Sequence, residues 1–295
     1  MNQIDKQTVD VNVGELPLLS SFLTKEWIKE ELNKNKPSVL IYLLKYDLPT
    51  LQALENNLKG IRLKEINKHK KHMLGCLKGE VSQVYGIISE IDIWAHLKKN
   101  KIFCVYQPKI ANFDKNPDFL IQLEQDDIIV EVATLNEDYQ VKKAITSMFE
   151  DFKKGNKSIG CFVVNEVTLN SDCYRFYELL KGKSKQLKKD SKNILIINTL
   201  FAEEFSLRNA IKGYYQLEKD GRQMGYISKD KREKDTPAFF AQKDTNKRVN
   251  LIVGYNSRIN NHYSTYFHDN PHLPFTQQEK IKIGQIFPNK IKENK

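Results

Sequence analysis

Two carboxylates stand where chemistry is possible. Asp118 closes the triplet Asn116-Pro117-Asp118, and Glu131 sits inside the otherwise apolar run 128–132. Burying a carboxylate is expensive unless it meets a cation or hydrogen-bond donors, so Glu131 needs a partner. A hard divalent cation, magnesium or manganese, fits that need. It takes oxygen ligands, keeps waters that a substrate phosphate can displace, and activates water for attack on phosphorus. Glu90, three residues after Ile87 and four before Trp94 in an apolar pattern, is a candidate third carboxylate.

Positioning these groups requires particular elements. Over 80–100, Val84, Ile87, Ile88, Ile91, Trp94, Ala95 and Leu97 recur mostly at spacings of three and four, which predicts a long helix with a broad apolar face. Three short strands follow at 102–106, 118–123 and 128–132, and only polar residues join the second to the third, which predicts an antiparallel hairpin. A two-residue turn at Gln125-Asp126 puts Leu120 opposite Glu131, with Asp118 one diagonal step away on the same face. A one-residue change in turn length would put the two acids on opposite faces. After Asn136, which reads as a helix cap, Val141, Ile145, Met148, Phe149 and Phe152 predict a second helix over 137–154.

This order resembles the PD-(D/E)xK nuclease superfamily. The resemblance rests on Ser89-Glu90 in the long helix, Gln107-Pro108-Lys109 after the first strand, Asn116-Pro117-Asp118, and Val130-Glu131-Val132. It spans about a quarter to a third of the chain. It implies magnesium held by Asp118 and Glu131, help from Glu90, and a lysine two residues after the glutamate that orients or activates water. Ala133 occupies that lysine position here, with Thr134 after it, and a methyl group can neither donate a hydrogen bond nor carry charge. Lys142 and Lys143 in the second helix, beside Gln140, are the candidates for a migrated basic group. Lys142 comes first, because it shares the side of Ile145 and Phe149.

Around this core the pattern predicts a helical N-terminal region (1–75, with Thr24 as a cap), a nuclease-like α/β core (76–215) and a closing region (216–295). The core continues with buried strands at 159–164 and 194–197 and helices at 174–187 and 201–215. The fold class is α/β, a restriction-endonuclease-like mixed sheet covered by helices on both faces. The closing region reads as an exposed insertion at 219–248, a terminal hairpin from 251–255 and 263–267, and a basic tail.

The 295 residues carry a net charge of +10, a field that favours polyanions. DNA is the expected partner. The basic stretch 64–72 reads as a nucleic-acid contact or as a solvated helix face, the latter being favoured. Cys76, Cys104, Cys161 and Cys173 form no CxxC pair and read as reduced thiols. With no apolar run long enough to span a bilayer, a cytoplasmic protein is expected. His262, His268 and His272 fit no closed zinc spacing, and Tyr255, Tyr263, Tyr266 and Phe267 read as core aromatics rather than base-stacking groups. The expected function is a metal-dependent endonuclease acting on DNA. The alternatives are a nuclease fold that has lost catalysis and binds nucleic acid or protein, and a structural scaffold.

Overall fold

The structure is a computed structural model, described over residues 13–34, 38–110, 116–135, 172–200, 204–212, 239–241, 246–256 and 263–289. The chain divides into two compact units, one of residues 1–101 and 136–158, the other of 102–135 and 159–295.

The described part of the first unit is helical, as its apolar periodicity predicts. Helices α1 (Pro17–Ser20), α2 (Lys25–Asn33), α3 (Val39–Tyr46), α4 (Leu48–Lys59), α5 (Leu63–Leu77) and α6 (Val81–Lys99) follow one another closely. Thr24 caps α2 by accepting the Trp27 N–H at 3.1 Å. Helix α3, VLIYLLKY, is apolar almost all round and buries Leu40, Ile41, Leu43 and Leu44. Glu80 and Gln83 close a capping box at the start of α6, whose apolar face buries Val84, Ile87, Ile91 and Trp94 among α3, α4 and α5.

Several polar groups inside this unit are paired. Glu55 of α4 reaches across to α1 and accepts the backbone N–H groups of Leu18 and Leu19, each at 2.9 Å. Those are orphan donors of a helix start, and α1 has no cap of its own. Asn57 Nδ2 donates to Asp92 Oδ1 at 2.6 Å, and Lys98 meets Glu65 at 2.9 Å.

The second unit is built on a six-stranded mixed sheet in sequential order, β1 (Cys104–Tyr106), β2 (Phe119–Leu123), β3 (Asp126–Thr134), β4 (Lys192–Asn198), β5 (Leu251–Tyr255) and β6 (Tyr263–Phe267). The first two steps are antiparallel, β3–β4 and β4–β5 are parallel, and β5–β6 is antiparallel. The central strands are buried on both faces, which is why they read as continuous apolar runs.

One face of the sheet packs under α7 (Asp172–Ser184), α8 (Glu204–Lys212) and the short 3-10 turn Phe239–Ala241. Ile129, Ala133, Leu195, Ile197 and Ile252 there meet Phe176, Leu180, Leu207 and Phe239. On the opposite face, Tyr263 meets Phe287 at 5.4 Å and Phe267 meets Phe275 at 6.4 Å between ring centroids. Those phenylalanines flank α9 (Gln277–Ile286), which Thr276 and Glu279 cap reciprocally. Lys192 Nζ ties this helix to the sheet, 2.7 Å from the buried Glu279 carboxylate, and also pairs with Asp126.

The helix at 80–100, the three strands after it, the strand at 194–197, the helices near 174–187 and 201–215, and the terminal hairpin are all found. The helix expected at 137–154 and the strand at 159–164 lie outside the described residues. Two expectations need correction. Parts of the stretch read as an exposed insertion are buried: Phe239 enters the core, and Asn246 donates to its carbonyl. Helix α9 stands where only a tail was expected, announced by the Thr276-Glu279 capping box.

Candidate active site

The hairpin turns one residue earlier than the spacing suggested. Leu123 pairs with Asp126, leaving Glu124 and Gln125 as the turn, and Glu124 takes the left-handed φ of 55° that tight hairpin turns demand. Leu120 therefore faces Ile129 rather than Glu131, and Phe119 faces Val130. Asp118 precedes β2 and lies just outside the paired residues, and Glu131 follows Val130 on β3. The earlier turn removes the expected Leu120–Glu131 pair, and a hydrogen bond to its carboxylate joins Asp118 to β3 instead.

Asp118 is fixed from both sides. Its backbone carbonyl accepts the Gln107 N–H at 2.7 Å, and Gln107 holds a left-handed φ of 47° just before Pro108. For a residue with a side chain that conformation costs about 1–2 kcal/mol, so the turn after β1 is held in place by its surroundings. On the other side Asp118 Oδ2 accepts the Val132 N–H at 2.7 Å. This carboxylate thus replaces a strand carbonyl as acceptor for a β3 amide, next to Glu131.

Glu131 is 6% exposed. Strand alternation points it to the face of Ile129 and Ala133, and its neighbour in the parallel ladder is Leu195, so apolar side chains surround it. Its compensation comes from α7: Lys183 Nζ lies 3.0 Å from Glu131 Oε2. Helix α7 buries Cys173, Phe176, Tyr177 and Leu180, and Lys183 continues that face three residues after Leu180. Among the described residues, this lysine is the partner of Glu131 that reasoning from sequence missed. The legible signal was a lysine at a core-facing helical position.

Ala133 is buried in the same cluster. Residues 131 and 133 point the same way, so a lysine at 133 would have stood on the face from which Lys183 now approaches Glu131.

Glu90 belongs to α6 in the other unit, where its carboxylate lies 4.0 Å from His72 Nε2. Burial lowers the His72 pKa, so that ring is neutral near pH 7. Lys142, Lys143 and Gln140 lie outside the described residues, as does His262. His268 is a buried ring that accepts the Asn270 N–H at Nδ1 and packs 4.5 Å from Phe240. Tyr255 and Tyr263 are core aromatics at 5% and 6% exposure, stacked on each other. Cys76, Cys104 and Cys173 are free thiols.

Among the described residues no group of three or more His, Cys, Asp or Glu side chains gathers to hold a metal ion, and no helix is long and apolar enough to cross a membrane. No family model, curated protein or solved structure matches the chain.

Proposed function

We propose that the chain is a magnesium-dependent phosphodiester hydrolase of the PD-(D/E)xK kind acting on DNA, with Asp118 and Glu131 as its carboxylates and Lys183 as its basic group. The observation that carries this reading is an ammonium beside a buried sheet carboxylate, with a second carboxylate bound to the next amide of the same strand. Lys183 Nζ stands 3.0 Å from Glu131 Oε2, and Asp118 accepts the N–H of Val132, the residue after Glu131. The sequential mixed sheet, with an antiparallel hairpin feeding a parallel strand, supports it at the level of the fold.

The donor set fits the ion. Magnesium is typically held by one or two carboxylates, with waters and substrate phosphate completing the shell, and Asp118 and Glu131 would be such a pair. Bound there, the ion would polarise the phosphate and lower the pKa of a water. The protein's own contributions are distinct. The Val132 amide orients the Asp118 carboxylate, and the sheet holds Glu131 rigidly in a low-dielectric setting. Lys183, paired with Glu131, would donate to a phosphate oxygen or to the attacking water.

The test is cleavage of duplex DNA with magnesium by the parent, Asp118→Asn and Glu131→Gln. The parent should cut and both variants should fall to background. Equal cleavage by all three would sink the assignment.

A second reading has its own observation. Lys183 already neutralises Glu131 without a metal, and Ala133 is packed as a core residue, as in a nuclease fold retained for binding alone. That reading expects no cleavage by the parent and DNA binding that is indifferent to Glu131→Gln.

A further inference from the structure

We propose that the outward row of α5, formed by Lys64, Lys68 and Lys71 with Gly75 in line, is a docking surface for the phosphate backbone of nucleic acid. Helical spacing places these four positions on one stripe, directly opposite the buried Ile66, Met73 and Leu77. All four are exposed.

Other charges of the region are committed within the unit. Lys70 donates to the Ser21 carbonyl at 3.2 Å and lies over the Phe22 ring. Lys78 lies over Trp27 at 4.7 Å, and Glu65, the acidic residue of α5, is turned aside to Lys98. Lys64, Lys68 and Lys71 make no side-chain ion pair or hydrogen bond among the described residues, so the row presents cations with no carboxylate between them.

Gly75 continues the row. A glycine inside a helix costs about 1 kcal/mol relative to alanine, and a Cβ at this position would meet nothing within 4 Å. Nothing inside the described fold calls for the missing side chain. In line with the lysines, it leaves room for a backbone to approach the helix closely.

The same geometry disfavours a membrane. A helix that lies on a bilayer inserts an apolar face, whereas the apolar face of α5 is consumed by the core. The proposal shares only its partner class with the hydrolase reading. It is tested without divalent ions, so failure of the surface and failure of cleavage register separately.

The experiment measures binding of the full chain to a short DNA duplex in chelator over a range of salt. It compares the parent with the triple variant Lys64→Gln, Lys68→Gln, Lys71→Gln. Each lysine–phosphate pairing removed makes the slope of log K against log salt shallower by about 0.9, so the slope of the triple variant should be shallower by about 2.7. For Lys68→Gln alone the change should be about 0.9, which provides a milder variant should the triple one fail to fold. The control Lys25→Gln, Lys29→Gln, Lys34→Gln makes the same charge change on α2 and its C-cap, where Glu26, Glu30 and Glu31 are interleaved, and should keep the parent slope. Three results would overturn the proposal: an unchanged slope in the row variants, an equal change in the control, or tighter binding of the parent to phosphatidylserine vesicles than to the duplex.

Discussion

Lys183 lies 52 residues beyond Glu131 in the chain, yet its ammonium rests 3.0 Å from that carboxylate. The pair joins helix α7 to the centre of the sheet. It is also what makes Glu131 tolerable in an apolar layer. Because Glu131 is the more buried partner, removing the lysine alone is the costly change. Lys183→Met should destabilise the fold by about 1–3 kcal/mol, toward the low end because the lysine is partly exposed, and Glu131→Gln with Lys183→Met should recover much of that loss. Urea denaturation of the two single variants and the double variant measures the coupling.

A relocation experiment addresses what Lys183 does chemically. Lys183→Ala should abolish DNA cleavage, and adding Ala133→Lys should restore part of it, since residue 133 faces the same side as Glu131. Cleavage that stays at background in the double variant, while it remains folded by circular dichroism, would assign Lys183 to structure rather than to the reaction.

Asp118 separates two roles by substitution. Asp118→Asn keeps an oxygen that can accept the Val132 amide and should leave stability within about 0.5 kcal/mol, whereas Asp118→Ala orphans that amide and should cost about 1–3 kcal/mol. Both should eliminate cleavage. Thermal unfolding set beside the DNA assay distinguishes the scaffold role from the chemical one.

Much of this arrangement was readable from the residues. Strands buried on both faces announced themselves as apolar runs, and Glu131 stood out because an acid in such a run demands a partner. The partner itself was hidden, because a lysine in a helix is usually solvated, and only the approach of α7 to β3 brings Lys183 inward. Register was hidden for a related reason. Both candidate turns are two polar residues long, and the one that wins sets Glu124 in a left-handed conformation that no glycine or asparagine advertised. Glu90 shows the opposite error: its place on a helix was legible, but not the neighbour it would face, which proved to be His72.

Asp92 gives the first unit a pH dependence. Burial raises its carboxyl from the ordinary value of 3.8 to about 7, the Asn57 hydrogen bond opposing the shift only in part. A raised folded pKa means that the folded state holds its proton more tightly than the unfolded chain. Stability is therefore undiminished below pH 4, falls between about pH 4 and 7, and stays low above. Asp92→Asn should gain about 1–3 kcal/mol at pH 8, below the limit of about 4 kcal/mol set by the full shift, and nothing at pH 4. Urea midpoints at the two pH values check it.

The Glu55 carboxylate holding the Leu18 and Leu19 amides has a kinetic side as well. A helix of four residues cannot persist alone, so those two amides are shielded from solvent hydrogen only while α4 is docked against α1. Their exchange with deuterium therefore reports the undocking of α1 from α4. In Glu55→Gln, which keeps one acceptor oxygen instead of two, one of the two amides should begin to exchange ahead of the rest.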